Sequence, residues 1–281
     1  MISIDGVKIT PTVFPDGTSQ VWKLPEELLQ KLYKEPVCTI TWEWEFKSGA
    51  EAEFIQLAQL KTLLDTYCDV INLNMPYLPY GRQDKRIENT STFGLHTFAK
   101  LLNALNFNEV HVIDAHNNLR ANMINRLEDH APRTMIEEAL RATKADMLLY
   151  PDSGALKRYS ALRPTLYCDD NGKPDRDFSP PYVYAEKVRE QSTGLIKGIT
   201  IVGKVKDKKL LIVDDICDGG MTFKLVAEQA LKVGAKEVHL FVSHGIFSRG
   251  LETLRESGIK RIFTHKGEEP LVTVPVYDGG H

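Results

Sequence analysis

The stretch Lys209-Leu210-Leu211-Ile212-Val213-Asp214-Asp215-Ile216-Cys217-Asp218-Gly219-Gly220-Met221-Thr222 decides how the rest of the chain is read. Residues 209–213 form a short apolar run bounded by charge, as expected of a buried strand stopping at Asp214 and Asp215. From Thr222 to Val233 the sequence predicts a helix, closed by Gly234. Between them lie the carboxylate of Asp218 and two glycines. Glycines allow positive φ and let backbone N–H groups turn toward an anion. The N-terminus of the following helix adds its dipole. Thr222 can cap that helix and donate to a phosphate oxygen, and the upstream carboxylates can accept from vicinal hydroxyls. The combination is a socket for a phosphorylated sugar. The shape alone is equally that of a strand, an acidic turn and a capped helix.

Outward from this stretch the same rhythm repeats. Strands are expected at 70–75, 109–113, 147–150, 200–202, 237–243 and 261–264, and helices at 95–105, 134–143 and 247–257. Strands alternating with helices argue for an α/β protein with parallel sheets covered on both faces. Two domains are expected from the length of 281 residues, 1–145 and 146–281, divided where the helix 134–143 gives way to a strand. Cys168 to Pro181, rich in Asp, Gly and Pro, is expected to be a mobile flap, and the segment around Lys187 to be exposed and mobile.

Composition sets the outer limits. Hydrophobic residues make up 42% and charged residues 26%, enough apolar material for sizeable cores, and the net charge is -3. Nucleic acid and anionic membranes usually select a basic face, so neither is an expected partner. No apolar run approaches the length of a membrane span, and no secretory leader is expected at the N-terminus. Cys38, Cys68, Cys168 and Cys217 form no CxxC pair, which argues against a disulfide framework or zinc site and for a reducing, cytoplasmic setting.

Ligands of open α/β sheets bind beyond the carboxyl ends of the strands. Four expected strand ends carry polar groups: Asp114 with His116, Asp152, Asp214 with Asp215, and His244. Taken alone, Asp114-Ala115-His116 is more often structural, Lys187-Val188-Arg189 is more often a solvated surface pair, and Trp42-Glu43-Trp44 suits a half-buried strand without a ligand. Together with the loop they carry a resemblance. Val213–Thr222 resembles the phosphoribosyl-pyrophosphate loop shared by type I phosphoribosyltransferases and ribose-phosphate pyrophosphokinases. Met75-Pro76-Tyr77-Leu78-Pro79-Tyr80-Gly81-Arg82-Gln83-Asp84-Lys85 and Phe14-Pro15-Asp16-Gly17 resemble the ATP segments of the pyrophosphokinases. Asp114-Ala115-His116 and Tyr150-Pro151-Asp152-Ser153-Gly154-Ala155-Leu156-Lys157-Arg158 resemble their magnesium-site segments, and Lys187-Val188-Arg189 their catalytic Lys-x-Arg. Ser243-His244-Gly245-Ile246-Phe247-Ser248 also matches. Order and spacing agree from about residue 10 to residue 250.

The resemblance implies two phosphoribosyltransferase-like domains, each a mainly parallel sheet flanked by helices. It implies that Phe14, Asp16, Thr18, Arg82, Gln83 and Asp84 bind ATP in a site shared between subunits of a homo-oligomer, a dimer or hexamer. His116 and Asp152 would hold Mg²⁺, directly or through water. Lys187, Arg189 and His116 would be the catalytic set. Arg189, Asp214, Asp215, Asp218, Gly219, Gly220, Met221 and Thr222 would bind the sugar phosphate. The implied reaction moves the diphosphate of ATP to the anomeric hydroxyl of ribose 5-phosphate. A phosphoribosyltransferase would share the loop without using Arg82-Gln83 or Lys187-x-Arg189, and a non-catalytic regulatory homologue would keep only the fold.

Three departures stand out. The family's phosphate loop usually reads Asp-Thr-Gly/Ala-Gly-Thr, so here Gly219 removes a hydroxyl and Met221 replaces a glycine. Thr18 stands where the family has Glu. After Tyr277 the family's final helix is missing, which leads us to expect altered assembly and control. The first departure suggests an esterified 5-phosphate, as in ADP-ribose, as the alternative acceptor.

Overall fold

The computed structural model describes residues 1–46, 50–163, 180–189 and 196–270, apart from the side chains of 187–189 and 196–197. The chain divides into two compact units, Met1–Ala131 and Pro132–His281. The division falls before the helix Arg133–Thr143 rather than after it at 145/146, because the apolar face of that helix (Ile136, Ala139, Leu140) packs with residues of the second unit. Most of the expected flap, residues 168–179, lies outside the described residues, as does the chain after 270.

In the first unit the elements run β1 (Ile2–Ile4), β2 (Val7–Ile9), β3 (Thr12–Val13), β4 (Ser19–Gln20), α1 (Glu26–Leu32), β5 (Val37–Trp42), α2 (Ala52–Leu64), β6 (Val70–Asn74), α3 (Gly94–Ala104), β7 (Val110–Ile113), α4 (Asn118–Ala121) and β8 (Leu127–His130). One sheet has the order β2-β1-β5-β6-β7-β8, parallel from β5 to β8 and antiparallel at β1 and β2. Alternate residues of β5 (Cys38, Ile40, Trp42) are buried, the period-two pattern of a strand with one face in the core. Leu95, Phe98, Ala99 and Leu102 form the buried stripe of α3. Leu101, which shares the apolar spacing, is instead 54% exposed. Cys38 and Cys68 are free thiols whose sulfurs lie 3.5 Å apart.

The second unit contains α5 (Arg133–Thr143), β9 (Met147–Tyr150), α6 (Ser153–Tyr159), β10 (Tyr182–Arg189), β11 (Ile196–Val202), β12 (Lys209–Cys217), α7 (Met221–Lys232), β13 (Glu237–Gly245), α8 (Glu252–Glu256), β14 (Ile259–Thr264) and β15 (Gly267–Glu269). Its sheet has the order β11-β10-β9-β12-β13-β14-β15, parallel except for the edges β11 and β15. Successive residues of the central strands go to opposite faces. Leu210, Ile212, Leu240 and Val242 pack with Phe223, Val226, Ala227 and Ala230 of α7. Leu211, Val213 and Phe241 pack with α5 and with Ala155 and Tyr159 of α6. This two-sided burial explains the unbroken apolar runs. Each fully buried branched or aromatic side chain contributes about 1.5–3 kcal/mol.

Three local expectations are corrected. β12 does not stop at Asp214; its parallel pairing to β13 continues through Asp214↔Val242 and Ile216↔His244 to Cys217↔Gly245. The helix expected at 247–257 shrinks to α8, because Phe247 (φ 48) and Gly250 (φ 71) make a left-handed turn that helical hydrogen bonding cannot cross. The backbone around Lys187, expected to be mobile, is part of β10.

Candidate functional site

In the first unit Arg82, Gln83, Asp84 and His116, of the expected ATP and metal residues, follow the ends of β6 and β7. His116 follows Asp114, a buried residue with φ 50 whose N–H donates to the His130 carbonyl at 3.0 Å. The Ala115 N–H donates to Asp129 Oδ1 at 3.0 Å. This fixed bend delivers an exposed His116 beside Gly81: a Cβ on Gly81 would lie 3.9 Å from His116 Cβ. Next to it, Asn117 donates from Nδ2 to Asp84 Oδ2 at 2.6 Å. The Asp-Ala-His and Arg-Gln-Asp segments therefore meet, with Arg82 and Gln83 exposed. Asn117 is a joining residue that motif reading did not single out.

Gln83 lines a cleft of about 470 Å³ with Trp42, Trp44, Phe54, Tyr80 and Phe98 among its walls. Its backbone is tied on both sides: its N–H donates to the Tyr80 carbonyl at 2.8 Å, and its carbonyl accepts from Leu95 N at 3.2 Å. A Cβ on Gly94 would sit 2.2 Å from Gln83 Oε1, so the absence of a side chain at 94 creates the place that Gln83 fills. The Tyr80 hydroxyl donates to Glu51, and burial, then that hydrogen bond, push its pKa up to about 12.

Phe14, Asp16 and Thr18 form the β3–β4 hairpin. Asp16 Oδ1 accepts from Thr18 N at 3.0 Å and Thr18 Oγ1 at 2.7 Å, and Gly17 supplies φ 84. The Thr18 hydroxyl holds the exposed Asp16 carboxyl below its usual pKa. Thr18 thus locks the turn. The hairpin is tied to α2, where Gln59 bonds Ser19 O and Val21 N, at 2.9 and 2.8 Å.

In the second unit the site forms at the carboxyl ends of β9, β12 and β13. Asp152 caps α6, its Oδ1 accepting from Gly154 N at 2.9 Å and Ala155 N at 3.1 Å. Asp215 is buried and lies 3.5 Å from the guanidinium of Arg158, one α6 turn further on. Arg158 is the second residue whose part only the fold reveals. Burial, then the Asp215 carboxylate, then Asp152, hold the Asp214 carboxyl well above the usual carboxylate range. This is an acidic corner ready for hydroxyl groups or a cation.

The loop after β12 turns into α7 at Gly220, which has φ 76 and is the N-cap, with no side-chain capping bond. Thr222, expected to cap, lies inside the first turn. The first N–H groups of α7 have no partner within the helix and face the loop, as an anion requires. Met221 at its head is 47% exposed. The turn after β13 is tied to this loop: Ile246 N and Phe247 N donate to the Cys217 carbonyl at 2.8 and 3.2 Å, and Ser248 Oγ donates to Asp218 Oδ1 at 2.7 Å.

Lys187 and Arg189 lie on β10, which pairs with β9 through Tyr184↔Tyr150. Lys187 is three residues beyond that pair, roughly 10 Å along the strand past the end of β9, on the side where Asp152 lies. The β10–β11 ladder is irregular between Val188 and Arg189. Their side chains lie outside the described residues. His116 and Asp152 belong to different units. Among the described residues no three His, Cys, Asp or Glu side chains converge in a metal-binding arrangement. The acidic corner around Asp214 suits a hard divalent ion held by one or two carboxylates, with water and substrate oxygens completing its shell, as Mg²⁺ prefers. No described helix is long and apolar enough to cross a membrane.

Comparison with known proteins follows this geometry. Residues 123–277 match the family described as phosphoribosyl transferase domain. The chain is 28% identical to a ribose-phosphate pyrophosphokinase of Sulfolobus acidocaldarius, covering 92% of this chain and 84% of that protein. It is 25% identical to the enzyme of the same name from Saccharolobus solfataricus, covering 98% of this chain and 91% of that protein. The crystal structure of phosphoribosylpyrophosphate synthetase from Mycobacterium smegmatis superposes with a TM-score of 0.69 over 91% of this chain and 78% of that one, at 20% identity, and so shares the fold. The chain belongs to the phosphoribosyl transferase domain family, as a relative of the ribose-phosphate pyrophosphokinases.

Proposed function

We propose that this protein is an ATP-dependent diphosphokinase that converts ribose 5-phosphate to 5-phosphoribosyl 1-pyrophosphate, using Mg-ATP and releasing AMP. The observation that carries the reading is the acidic corner of Asp214 and Asp215 running, through a left-handed Gly220, into an uncapped helix N-terminus. The carboxylates suit ribose hydroxyls, and the N–H groups of the loop and helix suit its 5-phosphate. Relatives named ribose-phosphate pyrophosphokinase, matched over nearly the whole chain, support the same reaction.

In the proposed step the C1 hydroxyl oxygen bonds to the β-phosphorus of ATP as the bond from that phosphorus to the α,β-bridging oxygen breaks. AMP leaves with that oxygen and its electron pair, and the hydroxyl proton is released. Lys187 and Arg189 offset negative charge on the transferred group, Arg82 and Gln83 hold the nucleotide, and Asp84 is steadied by Asn117. His116 and Asp152 would hold Mg²⁺, directly or through water, with Asp214 and Asp215 helping to position it, and the ion would supply charge neutralisation to the phosphates. The ATP site is shared between subunits of a homo-oligomer, with the Phe14–Thr18 hairpin of one chain serving its neighbour.

A second acceptor, ADP-ribose, is favoured by one observation. Gly219 and the exposed Met221 leave a loop with one hydroxyl fewer and a large apolar side chain at its edge, which suits a phosphate that carries an ester. The test is chromatographic measurement of AMP formed from Mg-ATP with each sugar separately. AMP with ribose 5-phosphate alone removes the second acceptor, and AMP with ADP-ribose alone removes the first. No AMP with either would leave the phosphoribosyltransferase and non-catalytic readings standing in its place.

A further inference from the structure

Gly219 and Gly220 are both side-chain-free, for different reasons. Gly220 has φ 76, a conformation that L residues adopt at a cost. Gly219 lies outside that left-handed region, so its φ does not call for glycine. The space a side chain would fill at 219 is taken by Arg249, whose Cδ and Nε stand 3.4 Å from the position of an added Cβ. Arg249 is exposed, and among the described residues it forms no ion pair. The turn that carries it is fixed to the loop through the bonds from Ile246, Phe247 and Ser248.

We propose that Arg249 is an anion-binding residue of the sugar-phosphate loop. In this arrangement the family's threonine at 219 is exchanged for a glycine so that a guanidinium from the neighbouring turn reaches the 5-phosphate. The proposal rests on the reading that Asp214–Thr222 binds a phosphorylated ribose, and it names a determinant of that binding on another element. A guanidinium donates through several N–H groups and carries a permanent charge, so it more than offsets one lost hydroxyl. The shared chemistry is a phosphoryl oxygen on the ribose 5-position. Ribose 5-phosphate and ADP-ribose are its two sources.

The test is calorimetric titration of the full chain with ribose 5-phosphate and with ADP-ribose separately, and with Mg-ATP as control. Arg249→Ala should weaken whichever sugar phosphate binds the wild type roughly ten- to a hundredfold, the scale of a charge-assisted hydrogen bond. Mg-ATP binding should stay within about twofold, since Arg249 lies outside the proposed nucleotide residues, and Arg249→Lys should recover part of the loss. Gly219→Thr should weaken binding on its own by displacing Arg249, and it should do little in an Arg249→Ala background. Arg249→Ala binding both acceptors within about twofold of the wild type overturns the proposal. A wild type that binds an acceptor yet forms no AMP sinks the diphosphokinase reading and leaves this one measured. A wild type that binds neither acceptor sinks both.

Discussion

Gly220→Ala and Gly219→Ala are adjacent, chemically identical changes for which the structure requires opposite outcomes. At 220 the alanine must adopt φ 76, which costs about 1–2 kcal/mol for an L residue. Its Cβ would also stand 3.1 Å from Leu254 Cδ2 and 3.2 Å from Cγ, and Leu254 is fully buried. Overpacking of this kind costs roughly 1–3 kcal/mol, and the short helix α8 that carries Leu254 can give way, so the lower end applies. The sum is about 2–3 kcal/mol of stability. At 219 the φ does not call for glycine and the contact is the flexible side chain of Arg249 at 3.4 Å. Gly219→Ala should therefore lie within about 0.5 kcal/mol of the wild type or stabilise it slightly, through reduced freedom of the unfolded chain. The assay is urea denaturation followed by far-UV circular dichroism. Tryptophan fluorescence would miss the effect, because Trp22, Trp42 and Trp44 all lie in the first unit. A Gly220→Ala protein as stable as the wild type, or a Gly219→Ala protein less stable than Gly220→Ala, would refute the distinction between the two glycines.

Three further outcomes follow from the geometry. Gly94→Ala places a Cβ 2.2 Å from Gln83 Oε1 and must swing Gln83 out of its cleft; the KM for ATP should rise severalfold while stability changes little, because Gly94 is only the first residue of α3 and the atom displaced is the far end of a side chain. An unchanged KM would detach Gln83 from the nucleotide. Lys187→Ala should lower kcat by about two orders of magnitude or more with the unfolding midpoint nearly unmoved, and full turnover would remove Lys187 from the chemistry. His239 is buried, and burial lowers its pKa to about 4, against about 6.5 when unfolded. The unfolded chain then binds more protons, so stability is intact above pH 6.5 and falls as the pH drops toward 4, by up to ~3 kcal/mol from this residue. His239→Gln should flatten that part of the stability-versus-pH curve, and equal acid sensitivity in mutant and wild type would contradict it.

Much of the fold was legible because its signals are periodic or punctuated. The runs at 70–75 and 147–150 are strands, and the apolar stripe from 95 to 105 is α3. What was not legible depended on partners. β12 extends past Asp214 only because β13 lies alongside to receive its hydrogen bonds, which overrides the break that two carboxylates suggest. α8 is short because Phe247 takes a left-handed φ that its residue type does not announce. The boundary was misplaced because a helix records on its own sequence that it has an apolar face, not which sheet covers it; α5 covers the second.

The site divides in the same way. The form of one contiguous segment, such as the passage from β12 through Asp218 to Gly220 into α7, could be read from order and spacing, since strand, glycines and helix start are local features. Asn117, Arg158 and Arg249 could not, because each acts across a gap in sequence: Asn117 on Asp84, Arg158 on Asp215, and Arg249 over Gly219. One of these gaps was bridgeable in principle. β12 and β13 are neighbouring parallel strands, so the loops at their carboxyl ends must emerge side by side. A departure in one loop is therefore a reason to look for a compensating departure in the other. The loss of a hydroxyl at 219 and the presence of a guanidinium at 249 form such a pair. They lie thirty residues apart along the chain and one strand apart in the sheet, and the proposed contact with the acceptor's phosphate depends on that adjacency.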